Sequence, residues 1–323
     1  MALLPSRTFL VAVLSLAPLA CGSAAEETGQ DESFQKETKS VVVDIPSRNQ
    51  WQNGNGYCGE TSIQSIGLHY GAWISQAVAR RTAGGELLLG DNEEKTLDKL
   101  NFEFDTWKSK KDDDQFEDFA VWLKEHLADR HPAIFGVYLT DGTNDEDYDH
   151  IVPAIGIEYR HAHKYDGDDV LVFHDNFGDE LRRPFSTLSA SRKKCAYASE
   201  QGGCIPKDVD YGIAVTGIVD KRKATLPVEL RVAASSEPNV SQGEKAIDMR
   251  GTVTASSLTP GRAYSLLRYD DADDVPRDKS AKDFLASKHV SRVDFVANAE
   301  TWTYADPTPF RSDGVAYYRC VPR

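Results

Sequence analysis

The chain has 323 residues, 40% of them hydrophobic and 10% aromatic, and a formal net charge of −14. That apolar content is enough for packed cores and excludes wholesale disorder. The acidic balance repels phosphate backbones and excludes nucleic acid as a partner.

The N-terminus reads as a signal peptide over residues 1–25. Arg7 supplies a positive charge ahead of the apolar run 8–17 (TFLVAVLSLA), which is too short to span a bilayer. Ala20-Cys21-Gly22-Ser23 resembles a bacterial lipoprotein cleavage site, in which Cys21 would carry a lipid anchor. Cleavage among the small residues 22–25 would instead give plain secretion. Both readings place the mature chain outside the cytoplasm, secreted or as a membrane-anchored lipoprotein. No later stretch is long and apolar enough for a transmembrane segment.

Residues 26–45 read as a flexible leader, polar and aperiodic at first and running into a short strand at 41–46 (VVVDIP). From Glu60 to Ala79 apolar residues recur at helical spacing (Ile63, Ile66, Ile74, Ala77, Val78), with Thr61 and Ser62 as helix-start types. A second amphipathic helix is expected over 116–127, with Phe116, Phe119, Leu123 and Leu127 on one face. Strand patterns follow at 133–139, 151–159, 170–173 and 211–219. Helices first and an antiparallel sheet afterwards describe an α+β domain over residues 46–223. Beyond it, residues 224–323 hold short alternating runs separated by turn signals such as Thr259-Pro260-Gly261, the pattern of a β-sandwich. The phrase 258–264 (LTPGRAY) resembles the turn-strand phrase of fibronectin type III-like modules.

The acidic runs at 112–114, 145–147 and 270–274 read as solvated loops, because none has the alternating oxygen-ligand spacing of an EF-hand. His161, His163 and His174 are the rival metal candidates, but His161-Ala162-His163 falls in a polar turn. No metal and no cofactor is expected. Outside the cytoplasm, cysteines meet an oxidising setting. Cys195 and Cys204 bracket Gly202-Gly203 and suit a local disulfide. For the other two, a Cys58–Cys320 bridge and a free Cys58 thiol are the alternatives.

The informative stretch is 52–62 (QNGNGYCGETS). A thiol must lose its proton to attack a carbonyl, and a helix N-terminus favours negative charge there. Cys58 precedes the expected helix, among glycines that permit a tight turn and close approach. Gln52 lies six residues ahead (58 minus 52), within reach to point its amide at a developing oxyanion beside the Cys58 N–H. His150 opens one strand, so its ring can face Cys58 as a base. Asp175 and Asn176 close the next strand, where a carboxylate or amide can hold the imidazole. Tyr57, Trp51 and Trp73 are candidates for substrate subsites or for core packing.

This order resembles the papain-like cysteine peptidases, and within them the C39-like peptidases. Asp175-Asn176-Phe177-Gly178 can be laid over the Asn-Ser-Trp-Gly phrase of the papain-like enzymes, and Glu60-Thr61-Ser62 replaces the commoner Pro-Thr-Ser of C39-like members. The resemblance implies a papain-like fold. It also implies roles of oxyanion donor for Gln52, nucleophile for Cys58, base for His150 and orienter for Asp175, with Asn176 as second choice. It implies a thiol hydrolase cutting peptide or isopeptide bonds of a peptide or protein substrate through a thioester, with the C-terminal module holding it on a surface or polymer. Amide transfer by the same residues and a catalytically inactive binding or adhesion protein are the alternatives. Asn239-Val240-Ser241 is a glycosylation sequon in a eukaryotic secretory host.

Overall fold

The computed structural model describes residues 37–54, 56–88, 90–110, 114–138, 150–190 and 203–323. The signal peptide with Cys21, the acidic run at 145–147 and Cys195 lie outside the described residues, so the expected Cys195–Cys204 pair does too.

The chain order begins with strand β1 (Lys39–Val42), helix α1 (Cys58–His69), β2 (Ala72–Ile74), α2 (Gln76–Ala83), α3 (Glu93–Lys99) and β3 (Phe102–Thr106). Helix α4 (Phe116–Ala128) leads into β4 (Ala133–Val137), β5 (His150–Tyr159), β6 (Val170–His174) and β7 (Glu180–Pro184). A short helix α5 (Phe185–Leu188), the two-residue strands β8 (Ser189–Ala190) and β9 (Ile205–Pro206), and β10 (Gly212–Ile218) complete this half. The second half runs β11 (Val228–Val232), β12 (Asp248–Met249), β13 (Gly251–Ala255), β14 (Ala263–Tyr269), helix α6 (Ala281–Ala286), β15 (Ser291–Val296), β16 (Trp302–Ala305), β17 (Phe310–Arg311) and β18 (Val315–Pro322). The fold is α+β, as composition and pattern suggest.

The main sheet has the antiparallel order β3-β10-β4-β5-β6-β7, with β1 pairing β5 beyond the end of β4. β5 is buried along nearly its whole length, which explains a run of apolar residues with no polar alternation. Gly156 lets β1 approach, because a Cβ there would sit 2.7 Å from the Val41 carbonyl oxygen. β1 begins at Lys39, so the last part of the expected leader is a sheet strand.

Alternate residues of β4 face opposite cores. Phe135 and Val137 join Phe119, Leu123 and Leu127 of α4, while Ile134 joins Ile63 and Ile66 of α1. The main sheet therefore separates the two long helices. The α1 side also takes in Leu267, Tyr317 and Val321 from the second half, so one core is continuous across both halves.

The expected helix over 60–79 is broken, and this is the main correction to the sequence reading. Gly71 adopts a left-handed φ of 72° and ends the helix, and a Cβ there would meet Val228 at 2.8 Å. Ala72–Ile74 then forms β2, and Ser75 caps α2 by accepting from the Val78 N–H at 3.2 Å. β2 pairs β18 in a sheet of order β15-β14-β18-β2, which shares a core with the sheet β11-β13-β16. Trp73, fully buried in that core, belongs to packing.

Candidate active site

Cys58 is the first residue of α1, where backbone N–H groups lack helical partners. It is a free thiol, as is Cys320, so the alternative bridge between them does not form. Burial pushes the Cys58 thiol up to about 11 and the Glu60 carboxylate adds to this, while the N–H groups of Ile151, Gly59 and Cys58 itself pull the other way. Desolvation outweighs the helix terminus here. Leu87 and Ile151 close over Gly59, where a Cβ would lie 2.4 Å from the Leu87 side chain.

Asn176 Nδ2 and Ser62 Oγ each donate to the main-chain oxygens of both Cys58 and Ile151, so the start of α1 lies against the first residues of β5, of which His150 is the first. His150 is 4% exposed. Its Nε2 lies 2.7 Å from the Asp175 main-chain oxygen. A carbonyl oxygen only accepts, so Nε2 carries the proton and Nδ1 is the basic nitrogen of the neutral ring. Phe177 lies parallel to this imidazole, with centroids 5.2 Å apart, and is 47% exposed.

Asp175 and Asn176 act through different atoms from those their letters suggest. The Asp175 carboxylate accepts from the N–H groups of Phe177 at 2.8 Å and Asp179 at 3.0 Å, which shapes the loop after β6. Its main-chain oxygen, not its carboxylate, holds His150. Asn176, fully buried and at a left-handed φ of 62°, donates through Nδ2 to Cys58 O at 3.0 Å, Ile151 O at 2.8 Å and Ser62 Oγ at 3.0 Å. It bolts the start of the Cys58 helix to the start of the His150 strand. Among the described residues its Oδ1 has no hydrogen-bond partner.

The stretch ahead of Cys58 runs along this loop. Asn49 bridges Phe177, and the Gln50 N–H donates to the Asn176 oxygen at 2.9 Å. Gly178, with φ 116°, admits Asn49 Oδ1 to 3.0 Å of where a Cβ would stand. Gln52 is exposed, whereas Gln50 is half-buried with Nε2 3.4 Å from the Cβ position of Gly56. The sequence reading missed Gln50 because six-residue spacing points to Gln52. Trp51 and Tyr57 are buried, packed edge to face at 5.0 Å, so packing accounts for both.

Glu60 is a second residue the sequence reading missed. Buried beside the thiol, it accepts from Arg80 Nε and from the Leu87 N–H at 3.3 Å, and Arg80 also donates to the Gly56 oxygen. Arg80 covers the Tyr57 ring at 3.9 Å. This pair braces the turn before Cys58 against α2, and the charge at position 60 was its one visible signal.

Among the described residues, no group of three or more His, Cys, Asp or Glu side chains is arranged to hold a metal. His163 pairs with Glu125 at 2.7 Å on the surface, and burial lowers the pKa of His174. No helix among the described residues is long and apolar enough to cross a membrane. Comparison with protein-family models and with curated proteins finds no match.

Proposed function

We propose that the protein is a cysteine hydrolase acting on peptide or isopeptide bonds outside the cytoplasm, with Cys58 as nucleophile and His150 as base. One observation carries the reading. A free cysteine at a helix start lies against the strand opened by a histidine whose Nε2 meets the Asp175 main-chain oxygen. The order Gln52, Cys58, His150, Asp175 and its resemblance to the C39-like peptidases support the same conclusion.

A thiol held near 11 is thiolate to only about one part in 10⁴ at pH 7. The proton must therefore leave during attack. The Cys58 sulfur bonds to the substrate carbonyl carbon as its proton passes to His150 Nδ1. The tetrahedral oxyanion is held by the Cys58 N–H and a glutamine amide, from Gln52 as the spacing implies or from Gln50 as its placement favours. Each donor contributes about 3 kcal/mol to lowering the barrier. The C–N bond breaks, the amine takes the proton from His150, and water delivered through the same base hydrolyses the thioester.

The test is digestion of a mixed peptide library by wild type, Cys58→Ala and Cys320→Ala, read by mass spectrometry. Cleavage that survives Cys320→Ala and disappears in Cys58→Ala is expected. Equal cleavage by Cys58→Ala contradicts the reading, and transfer to an added primary amine in place of hydrolysis points to amide transfer.

A further inference from the structure

The segment between β11 and β12 belongs to the second half of the chain, yet it is built into the support of Cys58. Glu237, 5% exposed, is its anchor. Through Oε1 it accepts from Gln64 Nε2 at 2.9 Å and from the Gln76 N–H at 3.2 Å, and through Oε2 from Arg48 at 3.0 Å. Gln64 lies in α1, six residues beyond Cys58 (64 minus 58), and Gln76 opens α2. The Glu237 main-chain oxygen accepts from Trp51 Nε1 at 3.2 Å, and the neighbouring Ser235 oxygen accepts from the Asn49 N–H at 3.1 Å. Gln76 Oε1 takes the Trp51 N–H at 3.0 Å. Arg48, Gln64 and Gln76 are fully buried.

Residues 49–51 are thus held on one side by Glu237 and its neighbours and on the other by Asn176 and Phe177. Gln50 lies within this clamped stretch and Gln52 follows it directly, so both candidate oxyanion donors depend on its placement. A misplacement of about 1 Å in such a group can cost roughly a hundredfold in rate.

We infer that Glu237 is a positioning residue for the oxyanion donors, so that the second half of the chain is part of the active centre and not an appended module. This rests on the thiol-hydrolase reading. The test compares two reactions of Cys58. Acylation by p-nitrophenyl acetate passes through a tetrahedral oxyanion, whereas alkylation by iodoacetamide displaces iodide and forms none.

In Glu237→Gln and in Trp51→Phe, acylation should fall at least roughly tenfold while Cys58 alkylation stays within about twofold of wild type. Trp51→Phe removes the indole donor to the Glu237 main-chain oxygen, a bond the Glu237 side chain does not make, so it loosens the same clamp from its other end and tests it if Glu237→Gln does not fold. Acylation equal to wild type, or acylation and alkylation falling together, would overturn the inference. Wild type acylated no faster than Cys58→Ala would overturn the underlying reading and the inference with it.

Discussion

Arg48 and Arg268 are both fully buried and both paired with carboxylates, yet they join different things. Arg268 meets Asp270, Asp306 and the main-chain oxygens of Thr308 and Pro309, and Tyr318 donates to the same Asp306 at 2.7 Å. All of these lie within the second half of the chain, away from Cys58 in sequence. Arg48 meets Glu237 and Gln64, which are 189 and 16 residues away, and Gln64 belongs to α1, the helix that Cys58 opens. The chemistry is shared. What differs is what moves when the pair is broken, and burial alone does not reveal it.

The largest effect expected is at the proposed base, His150. His150→Ala should slow acylation of Cys58 by ~10²–10⁴-fold per folded molecule, measured by stopped-flow against p-nitrophenyl acetate. Next come the two arginines. Breaking either buried pair by Arg48→Met or Arg268→Met should cost about 3–5 kcal/mol in denaturant unfolding. The comparison is broken or sharpened by activity per folded molecule. Arg268→Met should acylate at the wild-type rate, and Arg48→Met should not.

A smaller effect concerns pH. Burial raises Glu93 to about 8 from its ordinary 4.5, against the pull of the Tyr211 hydroxyl donating at 2.6 Å. Between those values the folded protein holds a proton that the unfolded chain has released, so stability falls as pH rises through this window. Glu93→Gln should remove that fall. Its melting temperature should exceed wild type by on the order of 5 °C at pH 8.5 and converge with it near pH 4. The smallest effect is at Glu60, whose charge raises Cys58. Glu60→Gln should move the pH dependence of Cys58 alkylation to lower pH, read by mass spectrometry over a pH series.

Helix α4 was legible because Phe116, Phe119, Leu123 and Leu127 repeat on one face and all four are buried. The break at Gly71 was not. Ala72, Trp73 and Ile74 are apolar because a second sheet covers them, and their hydrophobicity extends the helical period of α1 past its end. Of the positions chosen for their side chains, Asn176 bonds both the start of α1 and the start of the His150 strand, but the grip on His150 is the Asp175 main-chain oxygen. Every residue has one, so no letter in the sequence signals it. The link from Glu237 to Arg48 was equally invisible, since pairing over 189 residues leaves no local pattern.

The most direct test of the central claim is to quench the reaction with an activated ester in acid and locate the acyl group by peptide mapping. The account predicts a thioester on Cys58 in wild type, and at equal times almost none in His150→Ala. Acyl groups on lysines alone, or Cys58 acylated as fast in His150→Ala as in wild type, would contradict it.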